Sequence, residues 1–250
     1  MSVGRRFTYD IILAGKHIPL VTIQKDMNVA DLMGPRLSAA DKPSWCSIFT
    51  KAYAKVVARR PEMRRACLTL PWIRMYEYDA ATAHVTTEVR IDDEDCLAFV
   101  PITSPELCPL ADIDRQLEVW RQNPQDMPPL AAGRLAARFP RPLRRMAYWF
   151  VLNFSGRLRG KFFGTFGVTT VGNWGVESVR PIGPAISILH YGAISPDGKI
   201  SIRLTYDHRV LDGVGPSQAL NEMEAFLHTD ILEELTTGSS TKLANKAVSV

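Results

Sequence analysis

Near the end of the chain, the apolar runs AISILHYGAI and KISIRLTYD flank the four residues SPDG. Ser, Pro, Asp and Gly are tight-turn residues, so the spacing predicts a hairpin of two strands. Ile200, Ile202 and Leu204 alternate in the second run and give it one buried face. That strand runs into Asp207, His208 and Arg209, and a helical pattern follows. In GVGPSQALNEMEAFLHTDILEEL, Pro216 suits a first turn, and Leu220, Met223, Phe226 and Leu227 share a face. Upstream the order is helix, strands, helix, basic insert. Strands come in groups and do not alternate with helices, which predicts an α+β chain with a mixed or antiparallel sheet.

The other elements are read the same way. Residues 44–60 form a helix with Trp45, Ile48, Phe49, Ala52 and Val56 at helical spacing, stopped by Pro61. IRMYEYDAATAHVTTEVRI is rich in Val, Thr and Tyr and predicts strands. CLAFVPI predicts a short buried strand ending at Pro101. LADIDRQLEVWRQNP predicts an amphipathic helix with Ile113, Leu117 and Trp120 on one face. An insert at about 128–163 carries prolines at 128, 129, 140 and 142 and predicts two short helices broken at those prolines. Two readings of it are open: a solvated arginine face over a core-packed aromatic run, or a surface that meets an acidic carrier protein, or a membrane through its arginines with Tyr148, Trp149 and Phe150. GTFGVTTVGNWG reads as strand residues punctuated by glycine turns. A polar tail begins at about 236. No repeat or linker divides the chain, so one domain over 1–250 is expected.

Composition sets limits. The 250 residues are 46% apolar and 22% charged, an ordinary globular balance. No apolar run approaches the roughly 20 residues of a membrane helix. The opening segment is interrupted by Asp10 and Lys16, unlike a signal peptide, and the expectation is a cytoplasmic protein. Cys46, Cys67, Cys96 and Cys108 are widely spaced without a C-x-x-C, which predicts free thiols and no metal site. From Arg134 to Lys161 there are eight basic and no acidic residues, while the whole chain is only +4; the remainder is therefore 4 − 8 = −4. A local patch of this kind fits an acidic partner or a membrane surface and does not fit a general nucleic-acid binder.

His208 ends the alternating strand where sheet meets loop, a place where catalytic groups concentrate. One histidine near an aspartate is a weak signal, and a structural histidine bonded to a carbonyl is as common. Asp212 is close enough to return to the same turn and to fix an arginine or a backbone amide. Gly213 is expected to allow a conformation that a side chain would block.

LTYDHRVLDG resembles the histidine- and DG-containing motif of the dihydrolipoamide acyltransferase cores of 2-oxoacid dehydrogenase complexes, which share a fold with chloramphenicol acetyltransferase. GTFGVTTVGNWGVESVRPIGPAISILHYGAI resembles the family's GTFTISNLG segment and the strand after it. SIFTKAYAKVVARRPEMRRA and CLAFVPI resemble a helix and a strand of the same cores. The likeness spans roughly residues 40–235 and fades in 125–163. It implies a chloramphenicol acetyltransferase-like two-layer sandwich with a mixed sheet, assembled as a homotrimer with sites between subunits. It implies acyl transfer involving CoA or acyl-CoA as substrate, or an acyl carrier protein, and no tightly bound cofactor. His208 would be the general base. Matching FTIS to FGVT places Thr169 as the oxyanion donor, with Thr170 the weaker candidate because it points to the other side of the strand. Asp212 would hold the loop.

The first 40 residues are too few for a lipoyl domain, so a separate carrier or another acceptor is expected. The polar tail argues for a free trimer over a large cage. Two alternatives stay open: a non-catalytic trimeric scaffold or binding module of the same fold, and a different reaction on an acyl thioester. Substrate-binding residues are not readable from sequence.

Overall fold

The computed structural model describes residues 3–91, 94–124, 127, 131, 133, 135, 136, 138–170 and 178–237. Arg134, much of the glycine-punctuated segment (171–177) and the polar tail from 238 lie outside the described residues. The strands are β1 (Leu20–Asn28), β2 (Arg65–Leu68), β3 (Arg74–Glu77), β4 (Thr82–Ile91), β5 (Glu94–Thr103), β6 (Phe166–Thr170), β7 (Ser187–Tyr191) and β8 (Lys199–Asp207). Six of them form one sheet in the order β1-β8-β7-β6-β4-β5, and β2 pairs with β3. The β4–β6 and β6–β7 pairs are parallel; β1–β8, β7–β8 and β4–β5 are antiparallel. The sheet is mixed and the class is α+β, as expected.

The described helices are α1 (Val3–Gly15), α2 (Ala30–Ser38), α3 (Trp45–Arg59), α4 (Leu110–Gln122), α5 (Arg141–Asn153), α6 (Gly156–Phe163) and α7 (Val214–Phe226). Ser44 caps α3, its hydroxyl accepting from the Ser47 amide at 3.0 Å. The helix is buried nearly all round, and it is the centre of the core. Phe49 packs on Tyr191 of β7 with ring centroids 4.7 Å apart, and Tyr53 meets Phe166 of β6 edge-on at 5.1 Å. The Tyr53 hydroxyl bonds the Ser187 hydroxyl at 2.8 Å, so a buried polar group on the sheet is satisfied. These contacts fix which sheet face is core, and α7 packs beside α3 on that face.

The hairpin forms as its turn residues require. Gly198 has φ +81°, and a Cβ there would lie 2.5 Å from the Ala30 amide nitrogen. CLAFVPI departs from expectation. It belongs to β5, an edge strand that continues through Pro101 to Thr103 with Leu97 exposed. An edge tolerates proline because one side of the strand donates to no neighbour.

The insert departs further. Pro140 and Pro142 start α5 and do not break it, and the interruption comes at Phe154–Ser155, where Ser155 caps α6. At Gly156 a Cβ would sit 2.2 Å from the Tyr76 ring, so glycine is what lets α6 lie on β3. The arginines are not all in solvent. Arg144 is buried in an ion pair with buried Asp10 of α1. Arg159 is buried too and donates to the carbonyls of Cys67 (2.9 Å) and Pro184 (3.0 Å). Meanwhile Trp149 and Phe150 are exposed. The expectation of a solvated arginine face over packed aromatics is therefore corrected at these positions: two arginines hold the fold. Replacing Arg144 by Gln strands Asp10 in the interior and is expected to cost about 3–5 kcal/mol. Exposed Arg157→Gln is expected to stay within about 0.5 kcal/mol. Equilibrium urea unfolding of the two variants checks the contrast.

Candidate active site

Sheet geometry builds the His208 turn. The Asp207 carbonyl accepts from both the Val210 (3.0 Å) and Leu211 (3.1 Å) amides, and buried Leu211 anchors the far side. The Asp207 carboxylate, fully buried, takes Arg209 through Nε (2.9 Å) and Nη2 (2.7 Å) and also accepts the Arg209 amide at 3.0 Å. The His208 amide donates to the Pro19 carbonyl at 2.9 Å. The backbone is thus pinned on both sides of His208. The imidazole itself is exposed, lies 5.9 Å from the Tyr206 ring, and has no hydrogen-bond partner among the described residues. It is not the carbonyl-bonded structural histidine that the sequence allowed.

Asp212 is also exposed, and its carboxylate accepts the Val214 amide at 3.3 Å, at the first turn of α7. Of the two partners expected for it, it takes the amide; the arginine belongs to Asp207. Gly213 does not do what was expected. Its φ is −61°, an ordinary value, and a Cβ would meet only the Tyr206 hydroxyl at 3.9 Å.

Thr169 lies in β6, and its neighbours along the strand define its face. Phe166 and Val168 are buried on the α3 side, so alternation places Thr169 on the opposite face. It pairs with His190 of β7, which pairs with Arg203 of β8. His190 is buried, and burial above all holds its pKa down to about 4. The neutral ring donates from Nδ1 to the Ser178 carbonyl (3.0 Å), leaving Nε2 to accept from the Thr205 hydroxyl (3.1 Å). Thr205 in turn contacts the Thr22 hydroxyl at 2.8 Å. This polar chain beside Thr169 was not foreseen; His190 and Thr205 read as ordinary strand positions.

The structure does not bring Thr169 and His208 together within one chain. Thr169 is two strands across from Arg203, and His208 is 208 − 203 = 5 residues further along β8. At about 3.3 Å per residue and about 4.8 Å per strand, their backbones stand about 19 Å apart.

A cavity of about 380 Å³ lies between α1, α5 and α6. Leu13, Ala14, Trp149 and Leu152 supply apolar wall, and Arg145 and Arg209 supply charge. Ile18 also lines it, so the cavity reaches both residues adjoining the Pro19–His208 bond. The signal was present: Asp10, Leu13, Ala14 and His17 recur at helical spacing and all face this space. The thiol of Cys46 is not a rival nucleophile, since burial pushes its pKa up to about 11.

No protein-family model matches the sequence. No curated protein matches it either. Solved structures do. A probable dihydrolipoamide acetyltransferase from Listeria monocytogenes 4b F2365 superposes with TM-score 0.66 at 16% identity, covering 91% of this chain and 92% of that one. The dihydrolipoamide acetyltransferase of Azotobacter vinelandii gives 0.67 at 15%, covering 94% and 93%. A truncated 2-oxoacid dehydrogenase catalytic core from Thermoplasma acidophilum gives 0.68 at 14%, covering 92% and 96%. The chain has the fold of these acyltransferase cores along nearly its whole length, the fold that the His208 motif implies.

Proposed function

We propose that this chain is an acyltransferase that moves an acyl group between a thioester, of CoA or a carrier protein, and a small acceptor. The observation that carries the reading is His208: an exposed imidazole, unbonded within the described chain, on a turn whose backbone is fixed on every side. A base must reach its substrate with a free nitrogen and keep its position, and this arrangement gives both. The fold adds support, because a serine, a histidine and an asparagine have roles in the mechanism of the Azotobacter enzyme.

In the proposed reaction the His208 imidazole takes the proton of the acceptor's thiol or hydroxyl as that atom attacks the thioester carbonyl. The carbonyl π pair moves to oxygen, and the Thr169 hydroxyl donates to this oxyanion. Collapse re-forms the carbonyl and expels the thiolate, which recovers the proton from the imidazolium. The separation of about 19 Å in one chain means that His208 and Thr169 serve one site only if they come from different copies. We take the working unit to be the homotrimer that the family resemblance implies, with one site at each interface. Asp212 acts indirectly, by fixing the start of α7 behind the turn. The cavity beside Arg209 offers apolar wall for the acyl portion of the donor and the Arg145 guanidinium for its anionic groups.

We place the enzyme in the cytoplasm. Cys46, Cys67 and Cys108 are free, as a reducing compartment leaves them. No helix among the described residues is long and apolar enough to cross a membrane.

Release of free thiol from a panel of acyl-CoAs, with and without small thiol, amine and alcohol acceptors, tests the function. The expected outcome is acceptor-dependent release. Release without any acceptor would mean a different reaction on the thioester. No release from any donor would favour a scaffold.

A further inference from the structure

We propose that the outward face of α5, with the start of α6, docks on an anionic lipid membrane. This inference does not depend on the acyltransferase reading; it rests on an inversion in the insert. At about 100° per residue, Arg144, Tyr148 and Val151 share one side of α5, and Leu143, Met146 and Phe150 share the opposite side. The first side faces the protein, where its deepest charged group is Arg144 paired with Asp10. The second faces outward. With Phe139 before the helix and Phe154 at its end, these apolar side chains are between 42% and 61% exposed. Phe150 and Phe154 stack at 4.5 Å, which makes the stripe continuous across the α5–α6 junction.

A helix that buries its arginine and presents Leu, Met and Phe is suited to an apolar surrounding on its outer side. The charges beside the stripe identify that surrounding. Arg138, Arg157 and Lys161 are exposed, and the segment 134–161 contains no Asp or Glu. A second copy docking symmetrically would bring the same cations against these, with no anion in the segment to meet them. An anionic bilayer satisfies both conditions: acyl chains receive the apolar stripe and headgroups receive the arginines. The inner side of the same helix lines the cavity beside the His208 turn, so a docked membrane would stand about one helix diameter, about 10 Å, from that cavity.

Flotation of the whole protein with vesicles tests this, using phosphatidylcholine alone and phosphatidylcholine mixed with phosphatidylglycerol. The wild type is expected to float with the mixed vesicles only, and less at high salt. Replacing Leu143, Met146 and Phe150 together by Ser is expected to lower the partition coefficient at least about tenfold. Replacing Arg138, Arg157 and Lys161 together by Gln is expected to lower it more, at about fivefold per cation. These six side chains are exposed and outside the candidate site, so both variants should melt with the wild type; if the serine variant fails to fold, the glutamine variant decides alone. Wild type that ignores anionic vesicles, or floats equally with both kinds, overturns the proposal. So does a larger oligomer that the serine substitutions split, which would make the stripe an interface between copies.

Discussion

His208→Ala is expected to lower acyl transfer at least about a hundredfold while fold and oligomeric state survive. The magnitude follows from losing the group that takes the acceptor's proton. Survival of the fold follows from the structure: the side chain is exposed in the single chain and bonds nothing among the described residues, and the turn is held by Asp207, Arg209, Leu211 and the Pro19 carbonyl. Circular dichroism and sizing should match the wild type. Near-normal turnover would remove His208 from the mechanism. The contrast with Asp207→Asn is informative. That change weakens the doubly bonded pair between buried Asp207 and half-buried Arg209, so its damage should appear in thermal stability as well as in rate.

Much of this was readable before the structure, for physical reasons that differ between elements. The hairpin was legible because SPDG and the Ile200–Leu204 alternation are local signals. Helix α3 was legible because its spacing and Pro61 act within one turn. β1 was missed although it pairs along the whole of β8. It is an edge strand whose Gln24, Lys25 and Asp26 blunt the apolar alternation. The insert misled because the partner of Arg144 is Asp10, which lies 134 residues earlier in the chain. No periodicity within α5 could reveal a carboxylate brought from α1. Without that pairing, burying the aromatics and exposing the arginines was the natural reading.

The candidate site divides the same way. His208, Thr169 and Asp212 came from a motif, and the motif said what they are without saying how far apart they lie. Their separation comes from strand order. Consecutive elements β6, β7 and β8 are also neighbours in the sheet, yet Thr169 sits near the C-terminal end of β6 while His208 follows the C-terminal end of antiparallel β8. The two residues therefore emerge at opposite ends of the sheet. The His190–Thr205–Thr22 chain depends on register across three strands and left no local trace.

The central claim is that each site is shared between two copies of this chain, and one mixing experiment tests it most directly. Thr169→Ala is expected to lower turnover by on the order of a hundredfold, comparably to His208→Ala, because the oxyanion loses its donor. The two inactive proteins are unfolded, combined in equal amounts and refolded. An interface works only when its histidine comes from a Thr169 variant and its threonine from a His208 variant. Each choice has an even chance, so about one quarter of interfaces in a ring are intact. Activity is predicted to return to about a quarter of the refolded wild type, from two proteins that are each nearly inactive. No recovery, with the mixed proteins refolded and associated, would place the whole site in one chain and contradict the account.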